Sequence, residues 1–137
     1  MTPEELRHQR IRAFRQLAQE EFEVALEIKV KHRRQAAYFL QQSVEKLLRG
    51  VLEVAGIPAG PMHNIRALAE LLGKDHVLFE TFVELDELSP AATRFRYPSP
   101  KGTVADFDET KFDALVPKIE ALMKEAGTLM DDCLAGH

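Results

Sequence analysis

Cysteine is almost absent: Cys133 stands alone in 137 residues. That excludes an internal disulfide framework and makes a reducing cytoplasm the expected compartment. No run of eighteen apolar residues occurs, so no segment has the length of a membrane helix, and no membrane association is expected. The opening MTPEELRHQR is charged from the start and lacks an apolar stretch, so it does not read as a secretory signal. Basic residues are not in excess. Eighteen Lys and Arg against 22 Asp and Glu leave a formal charge of −4, whereas a dedicated nucleic-acid binder is normally basic overall. A local basic patch is compatible with that sum. Internal repeats, low-complexity tracts and the alternating pattern of strands are missing as well. The length fits one ordinary domain with a single core.

What the chain does have is helical periodicity, most clearly in AAYFLQQSVEKLLRGVLEV, residues Ala36 to Val54. At about 100° per residue its apolar side chains fall on one arc of roughly 160°, wider than the stripe of a helix lying on one neighbour. This helix is therefore expected at the centre of a bundle. Tyr38, Gln42, Glu45, Lys46, Arg49 and Glu53 gather on its other face, which reads either as a solvated surface with a Glu45–Arg49 pair or as a site.

Around it the helix boundaries follow from local chemistry. Thr2-Pro3-Glu4-Glu5 is a helix start, and apolar spacing carries helix 1 from Pro3 to about Ile28. Glu5-x-x-His8 has the spacing of a metal-ligand pair, but bundle metal sites need a second such motif and further carboxylates, so no metal is expected. Lys29 to Arg34 is the densest basic cluster, read as turn charges or as an anion-binding patch. Gly56 and Pro58 stop helix 2. Asn64 caps a short helix 3 that ends at Gly73, and helix 4 is expected from about Asp75 to Leu88. Prolines 90, 98 and 100 with Gly102 interrupt the stretch that follows, which holds Arg94-Phe95-Arg96-Tyr97. Two arginines interleaved with two aromatics exceed what a connector requires, and loops of that kind often carry function. The last helix begins near Asp108, with Asp106 as the alternative cap. Pro117 inside its stripe predicts a kink or a later start.

Three segments, in order, resemble the HEPN domain family, named for its occurrence in higher eukaryotes and prokaryotes as a nucleotide-binding domain. Ala37 to Leu48 is similar to the family's aromatic, Gln-Gln, Glu-Lys helix. Pro61-Met62-His63-Asn64-Ile65 resembles its His-Asp-Leu helix start, with Asn64 where Asp is usual. Thr93 to Pro98 resembles its Arg-Tyr-Pro loop. The resemblance implies an all-α, up-and-down bundle of four main helices plus one short helix, with residues 1–137 as a single domain. It further implies a homodimer, most often encoded beside a minimal nucleotidyltransferase. Such pairs look like toxin–antitoxin systems or like the substrate-binding and catalytic halves of one enzyme. A nucleotide or RNA is the expected ligand, and no cofactor is expected. On the matching positions and their chemistry, the expected ligand-binding residues are Tyr38, Gln42, Glu45, Lys46, Arg49, His63, Arg94, Arg96 and Tyr97. Arg96 and Lys46 are expected in one polar site.

Some members of this family are metal-independent ribonucleases whose motif is an arginine, a polar residue and a histidine a few positions on. None of the five histidines here has an arginine at that upstream distance. RNA transesterification needs a base and an acid, roles that histidine fills near neutral pH and arginine cannot. No catalytic residue is therefore expected, and a binding role ranks above a ribonuclease, the alternative in which His63 transfers the proton.

Overall fold

Thr2 caps the first helix through its hydroxyl, which accepts the Glu5 N–H at 3.1 Å with Pro3 in the first turn. The computed structural model describes residues 1–136. It contains α1 (Pro3–Ile28), α2 (Arg33–Ala55), α3 (Ile65–Leu72), α4 (Phe79–Glu84) with a 3₁₀ segment (Leu85–Ala92), and α5 (Glu109–Gly136). The described residues are all-helical, a bundle without a strand.

The short turn after Ile28 folds α2 back antiparallel on α1, and the pair is tied along its length. Ser43 Oγ donates to the Ala18 carbonyl at 2.7 Å near the middle, and the Arg7 guanidinium donates to the Glu53 carbonyl at 2.7 Å at one end. Helix α2 then meets α3, the 3₁₀ segment and α5 as well. Its Leu40, Val44, Leu48, Val51 and Leu52 are fully buried, as a wide apolar arc requires. Gly56 ends it at φ 72°, and the Ile57 N–H reaches back to the Leu52 carbonyl.

One element differs from expectation, and a second resolves an alternative: α5 does not start late. The fourth helix starts later and changes type. The chain before it turns at His76, and the α-helix gives way after Glu84 to 3₁₀ turns. Pro90 lacks an N–H and its ring would clash with the Asp86 carbonyl in a continued α-helix. The tighter winding instead stacks Leu85, Leu88 and Ala91 on one buried face, the three-residue repeat of a 3₁₀ helix. In α5, Asp108 is the cap, its carboxylate accepting the Lys111 N–H at 2.9 Å, and the helix runs unbroken through Pro117. The Asp113 carbonyl that Pro117 cannot serve lies on the exposed side, where water can satisfy it.

His76 makes the turn before α4 acid-sensitive. Its Nδ1 accepts the Leu78 N–H at 3.0 Å, which only an unprotonated nitrogen can do, and burial holds the ring below its ordinary 6.5. The unfolded chain therefore binds this proton more readily. Stability is fully present above about pH 6.5 and is lost as pH falls through the lowered value. The thermal midpoint is expected to decline between pH 7 and 5. In His76→Asn, whose amide oxygen can keep the Leu78 bond, that part of the decline flattens; parallel curves for the two proteins would remove His76 as its source.

Candidate functional site

The polar face of α2 is not a solvated surface. Glu45 is 5% exposed and Gln41 fully buried, because both are covered by the segment between α2 and α3. Glu45 Oε2 accepts from Arg49 Nε at 3.2 Å and lies 3.1 Å from His63 Nδ1, while Gln41 Nε2 donates to Oε1 at 3.3 Å. The Arg49 guanidinium also donates to the Gly60 carbonyl at 3.2 Å and to the Met62 carbonyl. A segment without regular structure has backbone carbonyls in need of donors, and Arg49 supplies them. These four side chains clamp the connection onto α2. One part of the clamp has chemical reach: with Nδ1 toward Glu45, the His63 ring keeps Nε2 for another partner, and its side chain is 76% exposed.

Lys46, one turn on from Gln42, is engaged elsewhere. Its ammonium pairs with Glu21 of α1 and takes the Gln42 amide oxygen at 3.3 Å. Gln42 in turn donates to Gln41 Oε1 at 2.7 Å. Lys46 and Arg96 have no hydrogen bond to each other. The two lie in different clusters, with Lys46 about 12 Å along α2 from the residue that Arg96 covers.

That residue is Tyr38. The Arg96 guanidinium carbon lies 4.8 Å from the Tyr38 ring centre and 5.7 Å from that of Tyr97, a cation–π arrangement at both rings. The loop gets its shape from Phe95, which turns inward to meet Phe107 edge-on at 5.7 Å, and Phe107 meets Phe112 at the start of α5. With Phe95 anchored, Arg94, Arg96 and Tyr97 on either side of it are exposed. Arg34, Gln35, Tyr38 and Phe39 of α2 face Phe95 and Arg96 across a cleft of about 220 Å³.

Arg34 and Phe39 were not among the expected site residues. The signal for Arg34 is present, since it stands four residues before Tyr38 and so on the same helix face, but it sits in a basic run that reads either as turn charges or as an anion-binding patch. That run divides. Arg33 is a structural tie, donating to the Phe107 carbonyl at 2.7 Å and pairing with Asp106 at 3.3 Å.

Most arginines hold a carboxylate, whereas only Lys46 and Lys118 of the lysines do among the described residues. Arg7, Arg10, Arg15, Arg33, Arg49 and Arg66 each hold a carboxylate. Hydrogen bonds to the Glu4 carboxylate of α1 and the Glu53 carboxylate of α2 raise the values of Arg7 and Arg10, respectively. Among the described residues, Arg34, Arg94 and Arg96 have no such partner, and Arg12 on the outside of α1 is the remaining case. A larger groove of about 620 Å³ runs between α1 and α5, but its rim carries Arg15 and Lys124 with Glu120, and no expected site residue lines it. No group of three or more His, Cys, Asp or Glu among the described residues could hold a metal. His8 lies against Glu4 rather than Glu5. Among the described residues, no helix is long and apolar enough to cross a membrane.

A family model described as the HEPN domain matches residues 11–129, which include the clamp and the cleft. No curated protein and no solved structure gives a significant match.

Proposed function

Because this chain belongs to the HEPN domain family, we propose that it is a homodimeric binding subunit of a nucleotidyltransferase-associated, toxin–antitoxin-like system in the cytoplasm, and that it holds a phosphate-bearing ligand, a nucleotide or RNA, between α2 and the Arg94–Tyr97 loop. The observation that carries this reading is the convergence of arginines without carboxylate partners on aromatic rings, in a chain whose net charge is −4. Guanidinium forks bind phosphate oxygens in pairs. Arg34 and Arg96 line the cleft, whereas Arg94 lines neighbouring depressions of the surface. Tyr97, 66% exposed beside Arg96, offers a stacking face to a base. Gln42, Glu45, Lys46 and Arg49 act one step back: they fix α2 and the α2–α3 connection, and so hold Tyr38 in place.

The second reading is a metal-independent ribonuclease, and one observation favours it. Glu45 orients an exposed imidazole much as a carboxylate orients a catalytic histidine. The binding reading predicts that purified protein leaves RNA intact in the presence of a chelator, and that its expression alone does not arrest growth. Chelator-resistant cleavage that vanishes in a folded His63→Ala variant would reverse the ranking and give His63 the proton-transfer role.

A further inference from the structure

Arg94 has no carboxylate partner among the described residues, and it does not line the cleft. It borders two other depressions, whose charges differ. The one beside the start of α3 carries Asp86 and Glu87, which oppose a phosphate. The other is a hollow of about 300 Å³ walled by Arg94, Tyr97, Pro98, Pro100 and Ala105, with no carboxylate in its lining. Tyr97 stands between this hollow and the cleft. Its ring lines the hollow, and the Arg96 guanidinium, which lines the cleft, lies 5.7 Å from the ring centre. A path without acids therefore leads from Arg34 and Arg96 across Tyr97 to Arg94.

The chain that forms the hollow is tied to itself. The Ser99 N–H donates to the Thr103 carbonyl and the Gly102 N–H to the Ser99 carbonyl, both at 2.8 Å. The Thr103 N–H donates to Ser99 Oγ at 3.1 Å, and the Ser99 and Thr103 hydroxyls share a bond of 2.6 Å. Gly102 takes φ 79°, which costs a glycine nothing, and Pro98 and Pro100 fix φ on either side of Ser99. Binding here need not order the segment, so that entropy cost is spared. Two hydroxyls that share one hydrogen bond leave one proton over, whichever of them donates. Both residues line the hollow, so a donor is available there. A flat ring with acceptor atoms on its edge suits a lining of one aromatic face, two proline rings, a hydroxyl donor and a guanidinium.

We infer that the hollow takes the base of a second nucleotide, and that the ligand is a single-stranded polynucleotide of at least two residues rather than a free nucleotide. The inference rests on the phosphate-binding reading above and narrows its ligand. The first nucleotide occupies the cleft with its phosphate on Arg34 and Arg96. The strand then crosses Tyr97, whose ring stacks on the second base, and Arg94 meets the phosphate between them. Stacking on a side chain needs a base splayed out of its own helix, which single strands offer and duplexes do not.

Displacement of a labelled single-stranded RNA by AMP and by 5′-phosphorylated di- and triadenylate counts the subsites. The second nucleotide should tighten binding about 10-fold, the size of one base stacked on an aromatic side chain, and the third should add less. Ala105→Trp, which fills the hollow, should remove the step from AMP to diadenylate and leave AMP as it is. Arg94→Ala should shrink the same step. Equal affinities for AMP and diadenylate, or a full step in a folded Ala105→Trp variant, would overturn the second subsite and leave the cleft standing. A duplex that competes as strongly as the single strand would overturn the unpaired base. No binding of the labelled RNA or of AMP at low salt would remove the cleft as well. Should Ala105→Trp fail to fold, the length series in wild type and Arg94→Ala decides.

Discussion

Replacing Arg34 and Arg96 together by alanine should weaken binding of a short single-stranded RNA at least about 100-fold while leaving the fold as it is. The size follows from the bond type: a hydrogen bond to a charged group is worth about 1.5–3 kcal/mol, and about 1.4 kcal/mol is a tenfold change. The fold is indifferent because neither arginine has an ion-pair partner among the described residues. Arg96 contributes a cation–π contact over Tyr38 of about 0.5–1 kcal/mol at an exposed site, within the range of an ordinary surface change. Salt dependence gives an independent reading. Each phosphate neutralised on a single strand contributes about 0.7 to the slope of log affinity against log salt, so losing two contacts lowers the slope by roughly 1.4. Fluorescence anisotropy across a salt series, with circular dichroism on the same samples, measures both. An unchanged slope with reduced affinity would mean that the arginines act through loop shape rather than through phosphate.

Glu45→Ala carries the largest expected loss of stability, about 3 kcal/mol, the low end for breaking a buried ion pair. Removing the carboxylate takes away the acceptor for Arg49 Nε and Gln41 Nε2 and the partner of His63 Nδ1. Arg49, 14% exposed in its side chain, would keep a charge with only the Gly60 and Met62 carbonyls to meet it. For a domain of this size the thermal midpoint should fall by roughly 10 °C. Glu45→Gln keeps one acceptor oxygen and should lose less. Proteolysis locates the effect: the clamp fastens residues 57–64, so Glu45→Ala should be cut there well before wild type under native conditions. A midpoint shift under about 2 °C would show that water replaces the carboxylate and that the clamp carries little energy.

Much of the fold was legible because its signals are local. Thr2 before Pro3, Gly56 after the last apolar residue of α2, Asn64 before Ile65 and Asp108 before α5 each do what their backbone chemistry predicts. The change from α to 3₁₀ at Leu85 was not legible, since it depends on Pro90 five residues ahead and on a core that rewards a three-residue repeat. The expected site residues fall into separate clusters, a division that the sequence does not show. Glu45, Arg49 and His63 have their partners across a connection with no regular structure, and nothing in an i,i+4 pattern tells a buried pair from a solvated one. Lys46 is captured by Glu21, twenty-five positions away on another helix. Arg34 was hidden by its neighbours: Arg33 belongs to a structural tie and Arg34 to the cleft, a difference of one helical step of about 100°.

The central claim is that the cleft between α2 and the Arg94–Tyr97 loop is where a phosphate-bearing ligand sits. Titrating the isotope-labelled protein with a short single-stranded RNA, and separately with ATP, tests it most directly by following backbone amide and arginine Nε–H resonances. The account predicts that at least one of the two moves the Arg34 and Arg96 side-chain signals and the amides of residues 93–97 and Tyr38, with little change along the α1–α5 groove. Shifts centred on His63 and the α2–α3 connection, or on the groove, or no saturable shift with either ligand at low salt, would contradict it.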